Sequence, residues 1–269
     1  MTSAGGWPKT ETFMNKPETY KNKILVVIPY CSQGAQGREI EYAVAGWRKH
    51  FKEDYIIVIA GERHQICDTG DDIVCVESQR VPEAEGQYRQ HLDYVSCLEK
   101  VQKEFPKSKG FIFAADDVYA VNDFDMADVM FLKQQSAAIS DYENSMNRWQ
   151  QDKARTKRKL IEEGYPYRNF TTHLPQWYEW KKLKALWDKY DMAHTSYVME
   201  DLYYNIYFKG RIPLQLHIDH DNLKCGVYRS NPRLEYIEMA LNRQIWIQNS
   251  PDGWIPFLEA ALKKHYEME

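Results

Sequence analysis

What this sequence lacks narrows its class before any motif is read. Its five cysteines, Cys31, Cys67, Cys75, Cys97 and Cys225, are odd in number and none stands in a Cys-x-x-Cys pair. That spacing argues against a disulfide framework and a thiolate zinc site, and it suits a reduced, cytoplasmic interior. Long hydrophobic runs are missing: the longest, Ile24 to Ile28, is far too short to cross a bilayer, and Met1-Thr2-Ser3-Ala4-Gly5-Gly6 leads into no signal-peptide core. A soluble protein is expected. Charge of one sign is missing too, with 35 Lys and Arg against 39 Asp and Glu. A nucleic acid or an anionic membrane would therefore have to be met by a local patch. No repeat or low-complexity segment occurs.

What is present, 43% hydrophobic and 14% aromatic residues over 269 positions, suffices to fill the core of one large or two small domains. The most informative stretch is Phe111-Ile112-Phe113-Ala114-Ala115-Asp116-Asp117-Val118-Tyr119, an apolar run that ends in two adjacent acids. Read as a buried strand, it leaves the acids at the sheet edge where open α/β folds bind ligands. Carboxylates held together there are costly unless a cation or a set of donors compensates them. A divalent ion carrying a phosphate-bearing substrate is the simplest compensation; an acidic turn without function is the alternative.

Residues 1–22 are polar and read as a loose arm. Lys23 to Pro29 reads as a strand buried on both faces, followed by the polar loop Tyr30 to Arg38 and a helix through Ile40, Val44, Trp47 and Phe51. The loop has neither the Gly-Lys-Ser/Thr ending of a P-loop nor G-x-G-x-x-G. Tyr55 to Ala60 predicts a second strand that delivers Glu62 to the same edge, and Ile73 to Val76 a third. Tyr88, Leu92, Val95, Leu98 and Val101 predict a helix, with Arg89 and Asp93 one turn apart on another face. The alternation predicts an α/β fold with a mostly parallel central sheet flanked by helices.

Beyond Asp125 a long helix is expected from Met126 to Glu163, bearing Lys153, Arg155, Lys157, Arg158 and Lys159 as a solvated face or a phosphate-binding patch. Trp177, Tyr178, Trp180, Leu183 and Trp187 have helical spacing. Glu200 and Asp201 fall in the first turn of another helix, where acids are favoured even without function. Ile212 to His220 alternates as a strand, with Gln215, His217 and Asp219 on one face; His217 and His220 at its end suit a ligand or acid–base role. Helices are expected from Asn231 onward. These boundaries give an arm (1–22), an α/β half (23–125), a second half (126–230) and C-terminal packing helices (231–269).

The order of these parts resembles the GT-A, Rossmann-like nucleotide-sugar glycosyltransferases over roughly residues 23 to 220. The resemblance implies that 23–125 is the nucleotide-sugar-binding half and 126–230 the acceptor and catalytic half, that Pro29, Tyr30 and Ser32 hold the nucleotide and that Glu62 contacts the base. It implies that Asp116 and Asp117 stand for the D-x-D motif that binds a divalent metal, manganese or magnesium, with the donor's diphosphate. Met199-Glu200-Asp201 stands for the x-E-D motif that supplies the base in inverting members, and His217 or His220 for a C-terminal metal ligand. The strict Asp-x-Asp spacing is absent, since Ala115 stands where the first acid would be. Asp116 to Asp123, with Thr172-His173-Leu174-Pro175, is also similar to bacterial capsule-type sugar transferases and the related Stealth sugar-phosphate transferases.

The expected activity is therefore metal-dependent transfer from a nucleotide sugar, UDP-linked by expectation, to a hydroxyl acceptor. Asp201 is the first choice as base, Glu200 the second, and Arg89 the partner of diphosphate or donor sugar. A glycan is the default acceptor. The alternatives are hydroxylated bases in DNA, sugar-phosphate transfer in the Stealth manner, and a non-catalytic nucleotide-sugar-binding module.

Overall fold

The computed structural model describes residue 20 and residues 23–216, 223–228 and 234–268. β-Branched side chains dominate β1 (Ile24–Tyr30) and β2 (Tyr55–Gly61), and both are buried along most of their length. Continuous rather than alternating hydrophobicity has that outcome when helices cover both faces of a sheet. The two strands pair in parallel from Ile24 opposite Tyr55 to Tyr30 opposite Gly61, with helix α1 (Glu39–His50) as the crossover. Strand β3 (Ile73–Glu77) adds to the outer edge of β2. Helix α2 (Arg89–Glu104) then carries the chain back to β4 (Gly110–Phe113), which pairs in parallel with β1 on its other side.

After β5 (Val118–Ala120), α3 (Met126–Met130), β6 (Lys133–Gln134) and α4 (Arg148–Glu162), strand β7 (Gln176–Glu179) joins the main sheet antiparallel to β4. The strand order is β3-β2-β1-β4-β7: an α/β fold with a mostly parallel central sheet. The chain leaves β1 in one direction and returns on its opposite side at β4. The loops that follow these two strands therefore diverge, and a crevice opens at the carboxyl edge between them.

Alternate residues of the strands face different layers. Val26, Ile28, Ile57 and Ile59 pack with Ile40, Val44 and Trp47 of α1. Leu25, Val27, Ile56 and Val58 pack with Val95 and Leu98 of α2, and with α5 (Trp180–Tyr190) and α6 (Met199–Tyr207). The chain continues through β8 (Leu214–Gln215), β9 (Lys224–Val227), α7 (Leu234–Arg243), β10 (Trp246–Asn249) and α8 (Pro256–Tyr266). A second sheet, β5-β10-β9, packs under α7, α8 and the outer face of α1. Among the described residues no helix is long and apolar enough to cross a membrane, and each of the five cysteines is a free thiol.

Three expectations are corrected, and a fourth, the alternating strand from Ile212 to His220, lies partly outside the described residues. The long helix from 126 to 163 is two helices. Asp125 caps the first through a capping box with Asp128, and Asn147 caps the second, accepting from the Gln150 backbone at 3.2 Å. Between them the chain is mostly irregular, forming only the short β6 and an isolated bridge from Ser136 to Asn169. Trp177 and Tyr178 lie in β7, so the helical spacing holds only from Trp180. The C-terminal region is not all helix, because Trp246 sits in β10 at the centre of the second sheet. The alternating segment from Ile212 forms only the short β8 within the described residues, and His217 and His220 lie outside them.

Candidate active site

The crevice beyond β1 and β4 deepens into a cavity of ≈ 620 Å³. One wall is the turn after β1, lined by Pro29, Tyr30 and Cys31. The neighbouring strand comes close there because Gly61, at φ +129°, has no β-carbon; one would sit 2.3 Å from the Tyr30 carbonyl oxygen. Glu62 follows on the same wall. The Ser32 backbone N–H donates to Glu62 Oε2 at 2.9 Å, and the Ser32 hydroxyl donates to the same oxygen. These donors hold the Glu62 carboxyl below its ordinary value. Of the four residues expected at the nucleotide, Pro29, Tyr30 and Glu62 thus face the cavity, while Ser32 braces Glu62 from outside the lining.

Asp116 and Asp117, at the junction of β4 with β5, form the floor. Desolvation is the main reason that Asp116 is pushed up to about 8 and Asp117 to about 7. The charge of Asp117 adds to it at Asp116, and the charge of Glu39 adds to both. Glu39 is itself buried, accepting from the Gln36 backbone and from the Asn249 amide, each at 2.6 Å. Asp117 Oδ1 is buried with no hydrogen-bond partner among the described residues. An orphaned carboxylate oxygen beside a second carboxylate fits a hard divalent ion. Among the described residues no group of three or more His, Cys, Asp or Glu side chains could hold one. An ion on this pair would draw its remaining ligands from water, from phosphate oxygens or from residues outside the described set.

Opposite the floor, Glu200 and Asp201 are neighbours in the first turn of α6 and face different ways. Glu200 lines the cavity, and desolvation raises its carboxyl. Asp201 is turned inward and 0% exposed. Its Oδ2 accepts from Lys153 Nζ at 2.6 Å and its Oδ1 from the Phe170 backbone at 2.6 Å. Lys153 is shared further, with Asn169 Oδ1 and Thr171 Oγ1, both at 2.7 Å. With both oxygens committed and no face on the cavity, Asp201 anchors the wall. Of the two acids expected as base, the structure therefore brings Glu200 to the cavity and turns Asp201, the first choice, away from it.

Arg89 is likewise displaced. It lies off the lining, 3.8 Å from Glu83 and 4.0 Å from Asp93. Arg80, in the loop between β3 and α2, supplies the guanidinium on the wall instead, with Nε on Asp93 Oδ2 at 3.0 Å and Nη1 on Gln33 Oε1 at 2.8 Å. A lone arginine in an irregular loop carries no periodic signal, so sequence reasoning had nothing by which to prefer it.

Two imidazoles complete the lining. His91, on the first turn of α2, donates or shares a proton from Nδ1 with Asp152 Oδ2 at 2.7 Å, and Asp152 is fully buried. His173 stands at φ 59°, a left-handed conformation unusual outside glycine, and its side chain opens onto the cavity rather than packing. The cavity walls still withdraw it from bulk water. That desolvation, with the cations Lys224 and Lys153, pushes its imidazole down to about 4.

No protein-family model and no curated protein matches the sequence. Among solved structures the chain is similar to a glycosyltransferase involved in glycosylation of the major capsid of PBCV-1, at 14% identity and a TM-score of 0.38, covering 91% of this chain and 100% of that one. It is similar to the bifunctional glycosyltransferase WbbM in its apo form, at 11% identity and a TM-score of 0.41, covering 84% of this chain and 45% of that one. It is also similar to the apo form of the glycosyltransferase GlyE of Streptococcus pneumoniae TIGR4, at 12% identity and a TM-score of 0.38, covering 92% of this chain and 61% of that one. The chain thus spans less than two thirds of the latter two. Overlaps this loose leave the chemistry to be read from the cavity's own residues.

Proposed function

We propose that the protein is a glycosyltransferase that moves a sugar from a nucleoside-diphosphate sugar, UDP-linked by first choice, to a hydroxyl acceptor with inversion. The observation that carries this reading is the meeting, in one cavity at the switch point of the sheet, of the turn after β1, the Asp116–Asp117 pair with its orphaned oxygen, and the carboxyl of Glu200. The β1 turn, Tyr30 and Glu62 would cradle the nucleoside. Asp116 and Asp117 would hold a divalent ion, manganese or magnesium, which when bound supplies Lewis-acid stabilisation of the leaving diphosphate. Arg80 would add a fixed positive charge on the same side. Glu200, facing the cavity and raised by desolvation, would take the proton of the acceptor hydroxyl as the new glycosidic bond forms.

The charges on α4 favour a glycan over DNA as acceptor. Lys153 is buried, Arg158 pairs with Glu143, and Lys159 pairs with Glu162 and Glu163. The basic run is therefore no continuous cationic stripe of the kind that tracks phosphates. One observation favours a second reading, sugar-phosphate transfer: His173, from the segment that resembles Stealth enzymes, opens onto the cavity. A donor-hydrolysis screen, nucleotide sugars against manganese and magnesium, tests both. Released nucleoside diphosphate supports glycosyl transfer, and nucleoside monophosphate supports sugar-phosphate transfer. No hydrolysis of any donor, with no nucleotide raising the melting temperature, rejects both and leaves no support for a nucleotide-sugar-binding module either.

A further inference from the structure

The loop between α6 and β8 carries a side chain that the fold leaves almost wholly in water. Ile212 is 93% exposed, just past a turn closed by the Arg211 N–H on the Phe208 carbonyl at 2.9 Å. Strand β8 runs parallel to β6, with Leu214 opposite Lys133 and its N–H on the Leu132 carbonyl at 2.9 Å. Ile212 therefore enters this two-stranded ribbon on the same side as Phe131, itself 52% exposed. Met130, before Phe131, and Leu214, after Ile212, are exposed as well. Large apolar side chains grouped in water mark a surface that meets a partner. Cations rim the tip. Lys209 and Arg211 are exposed in the same loop, and the Arg168 guanidinium donates to the Arg211 carbonyl at 2.7 Å. Lys209 Nζ stands 5.6 Å from the centre of the Tyr165 ring. From Lys209 to Leu214 the chain has no acid. The acids of α3, Asp125 and Asp128, are turned to backbone N–H groups around that helix's start.

We propose that this tip docks on the surface of a bilayer that contains anionic phospholipid. Ile212 and Phe131 enter the boundary between headgroups and acyl chains, and Lys209, Arg211 and Arg168 lie against headgroup phosphates. The proposal stands apart from the transferase reading. With a net charge of -4 the chain has no global attraction to such a surface, so a local cationic patch is what docking requires. A second protein, or a second copy of this chain, needs about 1,200–2,000 Å² for a stable interface, and the exposed apolar side chains here offer only a few hundred. A nucleic-acid backbone would match the cations and leave Ile212 in water. A fluid bilayer accepts a protruding apolar side chain without a preformed pocket, and the long stems of Lys209 and Arg211 let their charges reach the headgroups above it. Contact is peripheral, since among the described residues no helix is long and apolar enough to cross a membrane.

Co-sedimentation of the full chain with phosphatidylcholine vesicles, with and without phosphatidylglycerol, tests this. Binding is expected to the mixed vesicles and not to phosphatidylcholine alone, and to weaken about tenfold as salt rises from about 50 to about 500 mM. Ile212→Glu and Arg211→Glu should each weaken it at least about tenfold while leaving the melting temperature unchanged. Met146 is the control: it is 91% exposed but follows Asp141 and Glu143 instead of cations. Met146→Glu should change binding by less than about twofold. No binding to either vesicle, equal binding to both, or a loss in Met146→Glu as large as in Ile212→Glu each overturns the proposal. A lipid-free dimer that Ile212→Glu dissociates would give the tip to a second copy of the chain and overturn it too. Should a variant not fold, the dependence of the parent protein on phosphatidylglycerol and salt decides. The assay needs no nucleotide sugar, so donor hydrolysis and vesicle binding stand or fall separately.

Discussion

Lys153 Nζ lies 2.6 Å from Asp201 Oδ2, with the two side chains 1% and 0% exposed. Consecutive residues of a helix point about 100° apart, so Glu200 and Asp201 cannot both face one cavity. The ion pair decides which of them is turned away. It also ties α4 to α6 and, through Asn169 and Thr171, fixes the strap of chain that leads to His173.

Removing one partner of such a pair strands a charge in the interior. Asp201→Asn and Lys153→Met should each lower the unfolding free energy by roughly 3–5 kcal/mol. The double variant should lose less than the sum, because neither charge is then left alone. Glu200→Gln should abolish transfer while leaving the urea midpoint nearly unchanged. A midpoint drop for Glu200→Gln as large as that for Asp201→Asn would reverse the two roles.

The pH dependence of transfer should report Glu200. Burial raises its carboxyl above the ordinary glutamate value, so the protonated, inactive form persists to a higher pH than for a solvated acid. The rate should therefore rise with pH on an acidic limb centred above the usual carboxylate range. In the Glu200→Gln variant that limb should vanish together with the activity, whereas Lys153→Met, where it folds, should move it further up. The Lys153 cation is one of the groups that hold Glu200 down. A limb at an ordinary glutamate value would remove Glu200 as base.

Asp117→Asn separates stability from ligand binding. Asp116, Asp117 and Glu39 repel one another in the metal-free protein, and Asp117 Oδ1 has no donor among the described residues. Replacing Asp117 with the isosteric amide should leave the metal-free melting temperature unchanged or a few degrees higher. The rise in melting temperature that UDP with manganese gives the parent should be lost. Retention of that rise in the variant would place the cation elsewhere.

The sheet was legible because buried parallel strands have an unambiguous signature: Ile24–Tyr30 and Tyr55–Gly61 are nearly all β-branched or apolar, and the acids after Phe113 mark the edge. The cavity's location followed from strand order alone. What escaped was direction at the level of single side chains. Glu200 and Asp201 are chemically alike and adjacent, and only the buried Lys153, 48 residues earlier in the chain, tells them apart. Arg89 stands on a strongly periodic helix, whereas Arg80, which lines the cavity, stands in a loop that has no period to read. Trp246 reads as helical in the sequence because short apolar runs fit either period, and the pairing with Ala120 and Lys224 that makes it a strand is non-local.

A last prediction concerns the seam between α1 and α8, far from the cavity in sequence. His50 Nε2 and His265 Nε2 lie 3.0 Å apart with their rings stacked, and His50 Nδ1 meets Asp123 Oδ1 at 3.0 Å. Two nitrogens at that distance can share one proton but not carry two. Desolvation lowers His50 despite the Asp123 carboxylate, and desolvation with Lys49 and His50 pushes His265 down to about 4. Both native values lie below that of a free imidazole, so between about 6.5 and 4 the unfolded chain binds protons that the native state refuses. Stability from this seam is thus fully present above about 6.5 and is lost as pH falls through the native values, by on the order of 1–2 kcal/mol after allowance for partial solvent screening. The raised carboxyls of Glu39 and Glu200 act in the opposite sense over part of the same range, so the measure is a difference between proteins. His265→Phe keeps a stacked ring and removes the titrating partner. Its urea midpoint should fall less between pH 7.5 and pH 5 than the parent's does, and equal falls would show that the two histidines do not bear on the acid sensitivity of the fold.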